Sequence, residues 1–186
     1  MRLVEPRIAR ESEPVMEKES FELYDTEYVL PGLLINQRLG FFRRPRGMTN
    51  SLGRGKSEAD TNMTQCGQLA CPLSFLVWEF SVHIGDSGHP SDHDNVVSRG
   101  VIRFERVARR ALEAPLAPSN RGSGLFREMR EPIVHGETFA AMLSWPYLSQ
   151  DNQNPLMPGN WEIAHYAIYE PVPVRVVLRG ELTFPR

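Results

Sequence analysis

The sequence predicts an all-β protein, a single jelly roll of two packed antiparallel sheets with about eight strands, long loops and a charged N-terminal arm. The clearest observation is the C-terminal segment 172–186, where apolar and polar residues alternate. A period of two is typical of a strand that has one face in the core and the other in solvent. The residues predicted to face inward are Val172, Val174, Val176, Leu178, Leu182 and Phe184.

Proline and glycine support the same fold class. The chain has 15 Pro and 14 Gly in 186 residues, and they are spread along its length. This distribution is expected when turns and loops join many short strands. It does not indicate a low-complexity segment.

Six further segments are predicted to form strands. They are 20–30, with a kink at Asp25, then 33–42 as one strand or two short ones, 73–84, 101–107, 138–145 and 161–169. A short helix is predicted over 106–113, because good helix formers there are followed by Pro115. In segment 73–84, alternation assigns one group of side chains to the core, beside Val174, Val176 and Leu178: Leu76, Trp78, Phe80 and Val82.

Three long loops are predicted, over residues 43–68, 85–98 and 149–160. A loop of about twenty residues in a compact domain usually has a functional or interfacial role. Residues 1–18 mix charges of both signs and show no apolar periodicity. We interpret them as an arm, either disordered or ordered against a neighbouring subunit, that precedes one domain over 19–186.

Composition argues against several protein classes. The net charge is −2, so no global electrostatic field attracts nucleic acid. The charged N-terminus does not resemble a signal peptide, and no apolar stretch is long enough to span a membrane. We therefore expect synthesis in a cytoplasm. Two cysteines, Cys66 and Cys71, are too few for a disulfide framework.

The loop around His89 contains the most plausible metal ligands. His89, Asp92, His93 and Asp94 are close in sequence, and imidazole and carboxylate groups can bind divalent metals. However, the segment is rich in Gly, Pro and Ser, and the sequence predicts no helix that would align the two histidines. We therefore favour a solvated loop and expect no metal and no other cofactor.

A basic cluster begins directly after segment 33–42. Such cations can bind phosphates or an acidic partner, but Glu58 and Asp60 follow at once and no aromatic side chains are interleaved for base stacking. We interpret the cluster as a solvated or subunit-facing loop. Together with the arm, it gives the candidate subunit-interface residues: Arg2, Arg7, Arg10, Arg43, Arg44, Arg46, Arg54 and Lys56.

Catalytic motifs are not recognisable in the sequence. The segment around Gly53 and Gly55-Lys56 lacks the spacing of a phosphate-binding loop, and no G-x-S-x-G elbow is present. We therefore assign no catalytic residues and predict that the protein is not an enzyme.

One block of sequence resembles a recurring pattern in jelly-roll capsid proteins of tailless icosahedral phages. There, a strand ends at a Pro-x-Gly loop, and a D-T-N-M segment then leads into a long core strand. The closing segment 175–182 is also similar to the last strand of such proteins, and the resemblance covers about a third of the chain. The residues that carry the block are Phe41, Phe42, Pro45, Gly47, Asp60, Thr61, Asn62, Met63, Gly67, Leu69, Pro72, Phe75 and Val77.

The resemblance implies a single vertical jelly roll and a structural role in a virion. The protein would be a capsid subunit that assembles into an icosahedral shell through jelly-roll packing and arm exchange. Its partners would be copies of itself and other capsid subunits, with contact to an internal membrane or genome left open and no small-molecule substrate. Two alternatives remain: a cupin-like metal-dependent enzyme or sugar-binding module, and a phage spike or receptor-binding domain.

Overall fold

The computed structural model describes residues 15–70, 74–107, 109–117, 124–146 and 165–185. Within these ranges the elements are, in chain order, β1 (Met16–Val29), β2 (Gly32–Leu33), the 3-10 turn η1 (Leu34–Asn36), β3 (Arg38–Phe41), β4 (Ser74–Ile84), α1 (Asp92–Arg99), β5 (Val101–Arg106), β6 (Leu112–Pro115), β7 (Leu125–Val134), β8 (Phe139–Ser144), β9 (Ala167–Ile168) and β10 (Val172–Pro185).

Two four-stranded antiparallel sheets form the body of the protein. The first has the strand order β1-β10-β4-β7 and the second has the order β3-β8-β5-β6, while β2 and β9 form a small separate pair. Phe80 of β4 and Phe104 of β5 pack together with ring centroids 5.5 Å apart, which joins the two sheets through the core. The prediction of an all-β fold with packed antiparallel sheets is confirmed. The strand order is compatible with a jelly roll.

The C-terminal strand lies in the interior of the first sheet. β10 pairs with β1 on one side and with β4 on the other. The inward side chains predicted from the alternation are buried, apart from Phe184, which is partly buried against the core. A long strand with two neighbours and one apolar face is the element that periodicity identifies best.

The predicted core position of Trp78 is wrong. Its side chain is 44% exposed, and Leu76 is half-buried, whereas Phe75 and Val77 are buried. β4 has an irregularity at Trp78. Its pairing with β7 changes register between Val77 and Glu79, and its pairing with β10 changes register at the same place, between Arg179 and Gly180. One extra residue in a strand reverses the side-chain parity beyond it, so the core face moves from Phe75 and Val77 to Phe80 and its successors.

Two predictions about helices are also wrong. Segment 106–113 is not a helix: β5 continues to Arg106, and β6, which begins at Leu112, pairs with β5. Segment 85–98, predicted as a loop, contains most of α1. Pairing with a neighbouring strand outweighs helix propensity in the first case, because propensity is a weak local preference. β7 was not predicted at all.

Several predictions fall wholly or partly outside the described residues. These are the arm residues 1–14, the loop at 149–160 and residues 161–164 of the predicted strand 161–169. The boundary expected between residues 18 and 19 falls inside β1, which already pairs with β10 at Met16. β1 also runs through Asp25 without the predicted kink. Among the residues described, no helix has the length and apolar character needed to cross a membrane.

Candidate functional site: a loop over β1 and a buried charge cluster

Residues 42–70, here called the covering loop, fold into a compact structure between β3 and β4. A tight hairpin lies within it: Gly47 N donates to Lys56 O at 2.9 Å, and Lys56 N donates to Met48 O at 2.8 Å. The side chain of Asn50 closes its tip by accepting hydrogen bonds from Leu52 N and Arg54 N. The hairpin gives Lys56 a fixed backbone position.

The covering loop is hydrogen-bonded along the outer edge of β1. Ser51 Oγ accepts from Tyr28 N at 2.9 Å and donates to Tyr28 O at 2.7 Å. Further along the strand, Asn62 Oδ1 accepts from Tyr24 N at 3.0 Å, and Thr61 Oγ1 donates to Tyr24 O at 3.0 Å. Side chains thus satisfy backbone groups that a neighbouring strand would otherwise pair.

Three charged side chains meet beneath this loop, and we call them the buried triad. Lys56 Nζ lies 2.7 Å from Asp25 Oδ1 and 2.7 Å from Glu27 Oε1, and all three side chains are at most 1% exposed. Asp25 and Glu27 share a face of β1 with the core residues Leu23 and Val29. Two carboxyl groups therefore lie at a place in the sequence where apolar residues are expected.

The contacts within the buried triad are not equivalent. Lys56 Nζ donates a hydrogen bond to Asp25 Oδ1. Glu27 Oε2 accepts one from Ser51 N at 2.8 Å, whereas Glu27 Oε1 has no hydrogen-bond partner among the described residues. Its 2.7 Å contact with Lys56 Nζ is a close approach of charged groups without hydrogen-bond geometry.

Burial changes the proton affinity of Asp25. Removal from water raises the pKa of this carboxyl above its ordinary value, and the nearby Glu27 carboxylate acts in the same direction. Lys56 and the hydrogen bond from Phe42 N oppose the shift without cancelling it. The raised pKa makes the neutral form of this carboxyl more accessible than it is in water, as expected for an acid removed from solvent.

Phe42 has an unusual backbone conformation at this site. Its φ is 63°, and it is the one non-glycine residue with positive φ in the described part of the chain. A bulky residue in the left-handed region is strained. In this conformation Phe42 N donates to Asp25 Oδ2 at 2.6 Å. The strain therefore accompanies a short, buried hydrogen bond to the second oxygen of Asp25.

The predicted interface residues do not form one exposed cluster. Arg43, Arg46 and Arg54 are exposed and Arg44 is half-buried, while Arg2, Arg7 and Arg10 lie outside the described residues. Lys56 requires a correction, because its side chain is fully buried in the triad and cannot contact a neighbouring subunit. Sequence reasoning counted it as a surface cation because nothing local distinguishes it from the arginines.

Two of these arginines have partners inside the covering loop. Arg44 Nη1 donates to Thr49 O at 3.2 Å, and Arg46 Nη2 lies 3.6 Å from Glu58 Oε1. The carboxylate that follows the basic residues in sequence is thus also close in space. Exposed pairs of this kind contribute little to stability.

The histidine loop has a structural organisation that was not predicted. Asp92 is fully buried at the start of α1 and accepts hydrogen bonds from Tyr169 N, Glu170 N and Ser87 Oγ. The ring of His89 stacks on Tyr169 with centroids 4.3 Å apart. Asp92 therefore connects α1 to the segment before β10. The sequence predicted no helix in this segment, and we gave that as a reason against a metal site. This prediction is wrong, because α1 begins at Asp92.

The other aspartate among these candidate ligands is separate from that network. Asp94 is exposed, and its Oδ1 lies 3.3 Å from Nδ1 of the adjacent His93. Within the described ranges, no group of three or more His, Cys, Asp and Glu side chains is arranged so that it could hold a metal ion.

An exposed aromatic side chain borders a shallow cleft on the first sheet. Trp78 lies at the irregularity of β4, next to Phe21 and Glu22 of β1 and Arg179 and Gly180 of β10. The cleft has a volume of about 340 Å³. Large exposed aromatic side chains are enriched where proteins bind one another.

Comparisons of the chain with models of known protein families, with curated proteins and with solved structures find no match.

Proposed function

We propose that the protein is a structural subunit, a capsid protein that assembles with copies of itself into an icosahedral shell. The strand order carries the proposal. In the first sheet the first and last long strands lie side by side, and the chain alternates between two four-stranded antiparallel sheets. Such a pattern is expected of a double-sheet jelly roll, an architecture found in viral capsids and also in lectins and cupins.

The sequence block that resembles capsid proteins has a structural role that fits this proposal. Thr61 and Asn62 bind the backbone of β1, and Met63 is buried in the core. Gly67 has φ = 60°, and a Cβ there would lie 2.9 Å from Phe139 O. These residues hold the covering loop against the two sheets. The block therefore contains residues that attach a long loop to the two-sheet body of the protein.

Exposed features of the surface support an assembly role. Trp78 borders the cleft on the first sheet, while Arg43, Arg46 and Arg54 project from the covering loop into solvent. An aromatic side chain and arginines are the residue types enriched in protein interfaces. We infer that these two regions contact neighbouring subunits.

The oligomeric state of the full-length chain tests the proposal. We expect light scattering and negative-stain electron microscopy of the purified protein to detect closed particles or symmetric rings. A protein that remains monomeric across concentration and salt would contradict the assembly role. Elemental analysis of the same sample tests the cupin-like alternative, for which about one metal ion per chain is expected.

A further inference from the structure

We propose that Lys56 and Asp25 become joined by an intramolecular isopeptide bond between Lys56 Nζ and Asp25 Cγ, with Glu27 transferring the protons. This inference goes beyond the proposed assembly role and does not depend on it. It rests on three features of the buried triad: the contact between amine and carboxyl group, a second carboxylate beside the same nitrogen, and the exclusion of water.

The reacting groups are already in contact. Lys56 Nζ lies 2.7 Å from Asp25 Oδ1, so it is adjacent to the carbon that carries this oxygen. The two residues are 31 positions apart in sequence, and the hairpin of the covering loop and strand β1 hold their backbones. Such positioning makes an otherwise bimolecular condensation effectively unimolecular, and this effect can be large.

Glu27 is placed to move protons on and off the reacting nitrogen. Its Oε1 lies 2.7 Å from Lys56 Nζ and has no hydrogen-bond partner among the described residues. Its other oxygen is fixed by Ser51 N. A buried carboxylate oxygen with a free lone pair beside an ammonium group is a suitable general base.

The surroundings of Asp25 favour the form that the reaction requires. An amine attacks a neutral carboxylic acid far more readily than a carboxylate, and burial raises the pKa of Asp25 and so favours the acid. Phe42 N donates to Oδ2 at 2.6 Å. When the amine adds to Cγ, negative charge develops on Oδ2, and a fixed N–H donor stabilises such charge.

The step balances in atoms and electrons. Glu27 removes a proton from the Lys56 ammonium, and the amine lone pair forms the Nζ–Cγ bond while the Oδ2 carbonyl π pair moves onto oxygen. Glu27 then passes a proton from nitrogen to the Oδ1 hydroxyl. The Oδ2 pair re-forms the carbonyl, the Cγ–Oδ1 bond breaks and water leaves. Of the four protons at the start, three on the ammonium and one on the Asp25 carboxyl group, two leave in the water, one stays on the amide nitrogen and one remains on Glu27. No oxidant, reductant or external group is consumed.

The surroundings favour the amide. The three side chains are at most 1% exposed, so bulk water has little access to hydrolyse the bond. The product would keep the hydrogen bond from Phe42 N to its carbonyl oxygen, and its N–H would face Glu27 Oε1. A buried cation and a buried acid would be replaced by one neutral amide with partners for both polar groups.

The mass of the intact full-length protein is the decisive measurement. We expect the denatured wild-type chain to be lighter than its sequence mass by one water molecule. Tryptic digestion should then give a branched peptide that joins residues 19–38 to residues 55–99 through Asp25 and an uncleaved Lys56. A wild-type chain of full mass, or a water loss located elsewhere, would overturn the proposal.

Two glutamate variants test the assigned role of Glu27. Glu27→Gln keeps the size of the side chain but cannot accept the proton, and we expect its mass to be that of the uncondensed chain. Glu58→Gln, an exposed position in the same loop, is the matched control and should lose water like wild type. A Glu27→Gln protein that forms the branched peptide as fully as wild type would contradict the role of Glu27. The wild-type measurement decides the bond itself even if this variant does not fold.

Discussion

Gly180 lies in β10 opposite the irregularity of β4, where the backbones approach closely. A Cβ atom at this position would overlap the carbonyl oxygen of Leu76 and would lie 2.8 Å from its carbonyl carbon and 3.0 Å from Phe75 Cε2. Two backbone segments in the middle of a sheet cannot separate without breaking the pairing around them. The absence of a side chain is therefore a requirement at this residue.

We predict that Gly180→Ala lowers the free energy of unfolding by about 1–3 kcal/mol or more, because the new methyl group must displace the β4 backbone. Urea denaturation followed by tryptophan fluorescence or circular dichroism measures the change. Gly55→Ala is the control, since a Cβ there meets no atom within 4 Å, and its effect should stay within about 0.5 kcal/mol. Equal stability of both variants would show that β4 and β10 do not meet as described.

At the same scale, the charge of a residue says little about its location. Lys56 and Arg54 are two positions apart in a polar segment, yet Lys56 is buried and Arg54 is exposed. The difference comes from Asp25 and Glu27, which lie far away in sequence. A signal for the buried triad was present in β1, because both acids share the parity of Leu23 and Val29. Its partner could not be inferred without the path of the covering loop.

Among the elements, α1 is anchored at its N-terminal end by a buried carboxylate. Asp92 accepts hydrogen bonds from Tyr169 N and Glu170 N, each at 3.0 Å, and from Ser87 Oγ at 2.7 Å. Burial by itself raises the pKa of Asp92, but these hydrogen bonds, with a smaller contribution from His89, outweigh it and leave the pKa below its ordinary value of 3.8. The ionised form is thus the one that the folded protein favours.

We predict that Asp92→Asn lowers the free energy of unfolding at neutral pH by about 1–3 kcal/mol, because an amide N–H₂ group would face N–H donors. Since the folded pKa is depressed, the stabilisation by Asp92 is present above pH 3.8 and is lost as pH falls through the folded value. The difference between wild type and variant should therefore shrink in acid, as measured by denaturant titrations over a pH series. A difference independent of pH would contradict ionisation as its cause.

The elements differ in how well the sequence predicts them. β10 was predictable because every second residue from Val172 to Leu182 is buried, so one face of the strand lies in the core along this whole stretch. β4 starts with the opposite core face from the one expected, because the irregularity near Trp78 depends on its neighbours β7 and β10. β6 was mistaken for part of a helix, since four residues carry too little periodicity to outweigh helix propensity. Where pairing decides the structure, local patterns are insufficient.

For the whole molecule, the arm hypothesis can now be stated with a better boundary. Met16 and Lys18 already pair with Pro185 and Thr183, so removing residues 1–18 would damage β1. We predict that deletion of residues 1–14 leaves the circular dichroism spectrum and cooperative unfolding intact but abolishes or reduces particle formation. Light scattering and electron microscopy on both chains make the comparison. Normal particles from the shortened chain would contradict an arm that docks on neighbours.

The covering loop also determines which modes of self-association are open to the molecule. An edge strand with free N–H and C=O groups is a template for adding a strand from another chain, and such addition leads to aggregates. Along β1, Ser51, Thr61 and Asn62 occupy such groups with side chains. Copies of this protein that meet at the edge between Glu22 and Tyr28 must therefore associate through the outer surface of a loop, which can be specific and saturable, and not by adding strands to the sheet at that place.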